Sequence, residues 1–184
     1  MELLDVLDEQ GNLTGKAEER KVVHEKGLWH IHVGVWLMNE EGKLLFQKRS
    51  AEKKRNPNKW TRTGGHVEAK ETPLIGIQRE VEEEIGVKIP QDKFELIKMD
   101  KTLADKNNHH FTYNYFVYVN YKIEDYVMQK EEVSDLKYIS IEEMEKAKEK
   151  NDENYTFVRW DNFDEIISML KQKREKLYQA EVCI

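Results

Sequence analysis

Apolar residues in this chain recur with two different periods. Leu74, Ile77, Val81 and Ile85 return every three or four positions, which predicts a helix with a narrow buried stripe. Thr72 suits its N-cap, Pro73 its first helical position and Gly86 its end. Phe163, Ile166, Ile167, Leu170, Arg174 and Leu177 give a mostly apolar stripe to a last helix over about 161–178, and a shorter helix is predicted over 141–150.

Elsewhere the pattern is that of strands. Residues 3–7 and 13–15, joined by Asp8-Glu9-Gln10-Gly11-Asn12, predict a small hairpin. Residues 31–38, rich in β-branched and aromatic side chains, predict a strand that turns at 39–42 into a second over 44–48. A basic, proline-containing loop follows over 51–58. Strands over 94–103 and 111–121 flank residues 104–110, and a short one is predicted over 135–139. Strands interrupted by helices imply an α/β sheet covered on both faces.

Length and charge narrow the class. The 184 residues fit one domain, with a core over about 30–150, an N-terminal hairpin segment over 1–29 and the final helix over 161–178 as a packing element or a homodimer element. Charged residues make up 36% and hydrophobic ones 39%, so the surface is heavily charged. A net charge of -6 argues against nucleic-acid or acidic-membrane binding, which usually carries a basic footprint. One cysteine, Cys183, forms no internal disulfide, and no signal peptide or membrane-length apolar run is visible, so a cytoplasmic protein is expected.

The candidate chemistry lies on the first helix. Glu80, Glu83 and Glu84 sit three and four residues apart, on one helical face centred about 110° from the apolar stripe. Like charges so placed repel, and a hard divalent cation such as Mg2+ or Mn2+ is the natural partner for their oxygens. Gly64 and Gly65 precede the helix in a turn that can bring backbone carbonyls close to a ligand. From Gly65 the fixed positions run on through Glu71, Arg79, Glu80, Glu83, Glu84 and Gly86 to Val87.

This spacing resembles the Nudix box of the Nudix hydrolase superfamily. The resemblance implies an α/β/α sandwich with a mixed sheet and hydrolysis of a diphosphate linkage, with nucleoside di- or triphosphates or related nucleoside diphosphate compounds as the leading small-molecule substrates. It implies that Glu83 and Glu84 ligate the metal, that Glu80 is a ligand or the general base, and that the Gly65 or Gly64 carbonyl adds a ligand. Arg79 would orient the glutamates, and Glu71 would support the loop.

A second resemblance runs upstream. Leu4 to Asp8 with Gly11, Thr14-Gly15, Arg20, His24, Gly27 to His30, Val35-Trp36, Gln47 to Ser50, Lys54, Pro57, Trp60 and Gly65-His66 are similar to type I isopentenyl-diphosphate isomerase, a branch of the same superfamily. Two departures favour the hydrolase. The isomerases place a catalytic cysteine directly before their Gly-His pair, where this chain has Gly64, and carry two acids after the box, where it has Asn107 to Phe111 with His109-His110. Protonation of an unactivated alkene needs such acids. The isomerase remains the alternative, and a binding module without catalysis the second.

His24, His30, His32 and His66 stand where the isomerase resemblance places metal-binding histidines, whereas a lone histidine is more often simply hydrogen-bonded. Glu131 and Glu132 are an extra ligand or base by analogy, or solvated loop charges. For substrate contact the candidates are Arg49, Lys54, Trp60 and His66, with Arg20, Lys48, Lys53 and Arg55 as further cations. Trp36, Phe46, Tyr113 and Tyr115 stack a base or fill the core.

Overall fold

In the computed structural model, which describes residues 2–103 and 107–182, the elements in chain order are β1 (Leu3–Leu7), β2 (Leu13–Glu19), α1 (Arg20–Lys26), β3 (His30–Met38), β4 (Leu44–Arg49), β5 (Trp60–Thr61), β6 (Thr63–His66), α2 (Pro73–Ile85), β7 (Glu95–Leu103), β8 (His109–Tyr118), β9 (Val133–Ile139), α3 (Ile141–Glu149) and α4 (Phe163–Val182). The fold is mixed α/β with a mixed sheet, as expected. Its residues divide into two compact units, Met1–Trp36 with Thr63–Val117, and Leu37–Arg62 with Tyr118–Ile184.

In the first unit β1 and β2 form an antiparallel ribbon. The larger sheet here runs β7-β8-β3-β6. Antiparallel pairing sets His32 opposite His66, Val33 opposite Gly65 and Gly34 opposite Gly64. Val33, Val35 and Trp36 are buried on β3, and Ile77, Val81 and Ile85 on α2. Trp36 and Tyr115 therefore fill the core rather than face a ligand. A satellite cluster of Leu7, Trp29 and Phe111 packs with Ile31 and Tyr113. Lys101 caps it, its Nζ 4.6 Å from the Trp29 ring centre.

In the second unit β4 pairs with β5 on one edge and β9 on the other. The last residues of β3 enter this unit, where Met38 pairs with Leu44. Phe46 is fully buried and meets Phe157 edge-on with ring centres 5.5 Å apart. Helix α3 begins with a capping box between Ser140 and Glu143. On α4 the predicted stripe is the buried face, through Phe163, Ile166, Ile167 and Leu170. Tyr178 Oη donates to Glu41 O at 3.0 Å, in the turn between β3 and β4, so the helix also packs on this unit beyond its stripe.

Several elements depart from the sequence expectation. Helix α1 lies in a stretch for which the sequence predicts no element: Val23 is its one buried residue, so no apolar stripe marks it. Gly64 and Gly65 lie inside strand β6 rather than in a turn. Strand β2 runs on to Glu19, β9 starts at Val133, β8 stops at Tyr118 and α4 extends to Val182. Cys183 and residues 104–106 lie outside the described residues. Among the described residues no helix is long and apolar enough to cross a membrane.

Candidate active site

Helix α2 carries the acidic residues, and its start is fixed locally. Thr72 Oγ1 accepts from Ile75 N at 3.3 Å, with Pro73 as the first helical residue. The three glutamates are not equivalent. Glu84 is 5% exposed, whereas the Glu83 side chain is 53% exposed and that of Glu80 14%. An acidic face centred about 110° from the apolar stripe predicts carboxylates that flank the core, and Glu84 departs from it. It follows Ile77 by seven positions, hence about 20° around the helix, so it lies on the buried stripe itself. There its Oε2 accepts from Gly64 N at 3.4 Å.

Arg79 organises the rest. Its Nε and Nη2 donate to the two oxygens of Glu71 at 3.0 and 3.1 Å. Nη1 donates to Glu80 at 2.9 Å and to Glu83 at 3.2 Å, and Nη2 also donates to the His66 carbonyl at 2.9 Å. Burial draws the Arg79 pKa down, but the bonds and charges of Glu71 and Glu80 outweigh it and hold the guanidinium above its ordinary range. Glu71 Oε2 accepts from Glu68 N at 3.1 Å, which ties the loop before the helix to the same fork.

Glu80 lies flat against strand β6. A Cβ on Gly65 would come within 2.4 Å of its carboxyl carbon, so that position admits only glycine while Glu80 stays in place. Burial, together with the charges of Glu83 and Glu2, pushes the Glu80 pKa up to about 7 against the opposing pull of Arg79. Carboxylate oxygens on one helix are hard donors of the kind a divalent ion takes, but Glu80, Glu83 and Glu84 do not here bring one oxygen each within 4.8 Å of the others, because Arg79 holds Glu80 and Glu83 while Glu84 turns to Gly64 N.

A second cluster stands in the same unit. Alternation on β3 puts His30 and His32 on one face, and the β3–β6 register sets His66 opposite His32. His24 reaches them from α1: its Nε2 is 3.2 Å from His66 Nε2, and the His24, His30 and His66 ring centres are 5.1–5.2 Å apart. One ligand atom from each of these three lies within 4.8 Å of the others, the only such group of three among the described residues. His30 Nδ1 lies 3.1 Å from Leu28 O. Burial lowers the His66 pKa well below its ordinary value, and the nearby His32, Arg20, His30 and His24 lower it further. Glu2, which pairs with Arg20 at 2.8 Å, approaches His66 Nδ1 at 3.9 Å. Glu2 and the placement of His24 escaped the sequence reading, because both depend on the ribbon and on α1.

The remaining substrate candidates belong to the second unit. Arg49 Nε donates to Arg55 O at 3.0 Å, Lys54 is exposed, and Trp60 is half-buried beside Lys137. Glu132 is ion-paired with Lys53, so neither is a bare loop charge.

Residues 28–161 match the model of the NUDIX domain. The chain belongs to the Nudix hydrolase family. It is 39% identical over 163 residues to Nudix hydrolase 3 of Arabidopsis thaliana, a match covering 84% of this chain but only 21% of that protein's length. An uncharacterized Nudix hydrolase of Clostridium acetobutylicum is 34% identical over 78% of this chain and 72% of its own. The crystal structure of DR0079 from Deinococcus radiodurans has the same fold, with a TM-score of 0.69 at 20% identity over 92% of this chain and 99% of that one. The N-terminal region also matches isopentenyl-diphosphate isomerases, as in Streptomyces avermitilis, at 36% identity over 46% of this chain and 44% of that one.

Proposed function

We propose that this chain is a Mg2+- or Mn2+-dependent pyrophosphohydrolase that cleaves the diphosphate linkage of a nucleoside di- or triphosphate or a related nucleoside diphosphate compound. The observation that carries the reading is the Arg79 fork, which fixes Glu71, Glu80 and Glu83 around one guanidinium while Glu80 rests against Gly65. Glu80, Glu83 and Glu84, with the Gly65 carbonyl, would hold the ion. When bound, such an ion offsets diphosphate charge and acidifies water. Glu80, whose pKa burial raises before any ion binds, serves either as a ligand or as the general base that takes a proton from water. Arg79 holds the carboxylates in register, and Glu84 fixes the helix to β6 through Gly64 N.

A panel of diphosphate compounds, assayed with both metals and with products identified by mass, tests this. Wild type should release phosphate or nucleotide, and Glu83→Gln should not. Unchanged release by Glu83→Gln would overturn the mechanism. Ligand affinity with no turnover in either metal would identify a binding module instead.

Convergence of His24, His30 and His66 favours a second reading, the isomerase. Against it stands Gly64, where a Cβ would lie 2.2 Å from Val33 O and 2.8 Å from Gly34 Cα. The backbone therefore leaves no room for a cysteine at that position without moving β3. Conversion of isopentenyl diphosphate to its dimethylallyl isomer by the purified protein would nevertheless establish that activity.

A further inference from the structure

In the second unit two lysines bracket one indole. The β4–β5 register sets Lys48 opposite Trp60, and the β4–β9 register sets Phe46 opposite Lys137. Phe46 and Lys48 are two apart on one strand, so all four side chains project from the same sheet face. Lys137 Nζ lies 4.2 Å from the Trp60 ring centre and 4.8 Å from that of Tyr155, and donates to Tyr155 Oη at 2.7 Å. Lys48 Nζ lies 6.0 Å from the Trp60 ring centre.

Both lysines are half-buried residues, yet among the described residues neither forms an ion pair with a carboxylate. Asp135, opposite Lys48 on β9, instead accepts from Leu136 N at 2.9 Å. The attraction of a cation to an aromatic face offsets only part of the hydration it loses on burial. Two like charges about a single ring add repulsion. An anion reverses both effects. Lys137 has donors beyond the one given to Tyr155, and the Tyr155 hydroxyl, having accepted from Lys137, keeps its own proton to donate.

We propose that Lys48, Lys137 and Tyr155, arranged around Trp60, form a binding site for the phosphate or diphosphate group of a small molecule. The site rests on the second unit alone and is independent of any hydrolysis at Glu80, Glu83 and Glu84.

The test is a titration of the full-length protein with inorganic pyrophosphate in EDTA at low ionic strength, followed by calorimetry and tryptophan emission. Saturable binding with a change in emission is expected. Lys48→Met and Lys137→Met should each weaken it about tenfold or more, the loss of one charge-assisted bond. Lys137→Arg should retain binding, and Trp60→Phe should retain it with most of the emission change gone. Glu83→Gln should bind as wild type, which separates failure here from failure of the hydrolase reading. Wild-type affinity in the Lys48→Met/Lys137→Met double variant would overturn the proposal. So would the absence of saturable binding by wild type, or loss of binding in Glu83→Gln with Lys137→Met unaffected.

Discussion

Arg79 holds Glu71 through two parallel hydrogen bonds, Nε to one carboxylate oxygen at 3.0 Å and Nη2 to the other at 3.1 Å. This bidentate pair joins α2 to the loop before it. The remaining donors of the same guanidinium fix Glu80 and Glu83, so the glutamates inherit their positions from a planar fork.

Lysine cannot reproduce that fork, because it offers a point charge on a flexible stem. Arg79→Lys is expected to fold normally but to lose roughly 10–100-fold in kcat, the usual scale for groups that orient metal ligands. The metal concentration giving half-maximal rate should rise with it, while KM for the diphosphate changes little. A metal titration of the steady-state rate checks this, and an unchanged half-maximal metal concentration would count against a positioning role.

Gly65→Ala separates the site from the fold. The new methyl would meet the Glu80 carboxyl group within 2.5 Å, and that group is the end of a flexible side chain that can swing aside. Activity should therefore fall steeply while the urea midpoint changes little. The neighbouring Gly64→Ala should behave oppositely: its methyl meets Val33 O and Gly34 Cα, which are backbone, so stability itself should drop. Equal losses of stability in the two variants would refute the distinction.

These contrasts mark what the sequence makes legible. Helix α2 was readable from Thr72 to Gly86, since its cap, stripe and stop are local signals. The acidic trio is equally visible, but its mean direction, about 110° from the stripe, conceals that Glu84 alone lies close to Ile77 and is buried. Strand β6 was not readable, because Gly64 and Gly65 have no side chains to give a period; pairing with β3 makes them a strand. The gathering of His24 with His30 and His66 depends on α1, a helix of seven residues without an apolar stripe. Sequence could name those histidines only through resemblance.

The last helix makes a stability prediction. Leu170 on α4 is fully buried, so Leu170→Ala removes apolar contact and leaves a cavity. A loss of about 2–5 kcal/mol is expected from urea unfolding, with KM for the diphosphate unchanged in the folded fraction. A loss below about 1 kcal/mol would mean that α4 carries little of the core.

Glu80 gives the metal-free protein a pH-dependent stability. Its carboxyl titrates near 4.5 when unfolded and about 7 when folded, mainly because burial disfavours the charge. Between those values the folded chain keeps a proton that the unfolded chain has lost, so this contribution is full below 4.5 and disappears as pH rises through about 7. His66 works the other way: its folded pKa is lowered, so its contribution is present above 6.5 and lost as pH falls. The two overlap, and a wild-type curve alone does not separate them. Glu80→Gln, a permanent mimic of the neutral carboxyl, isolates the first. In EDTA its Tm should match wild type near about pH 4.5 and exceed it increasingly toward about pH 8. Mg2+ should then raise wild type at the higher pH and leave Glu80→Gln nearly unmoved. Parallel Tm curves for the two proteins would show that the Glu80 charge is not poorly compensated.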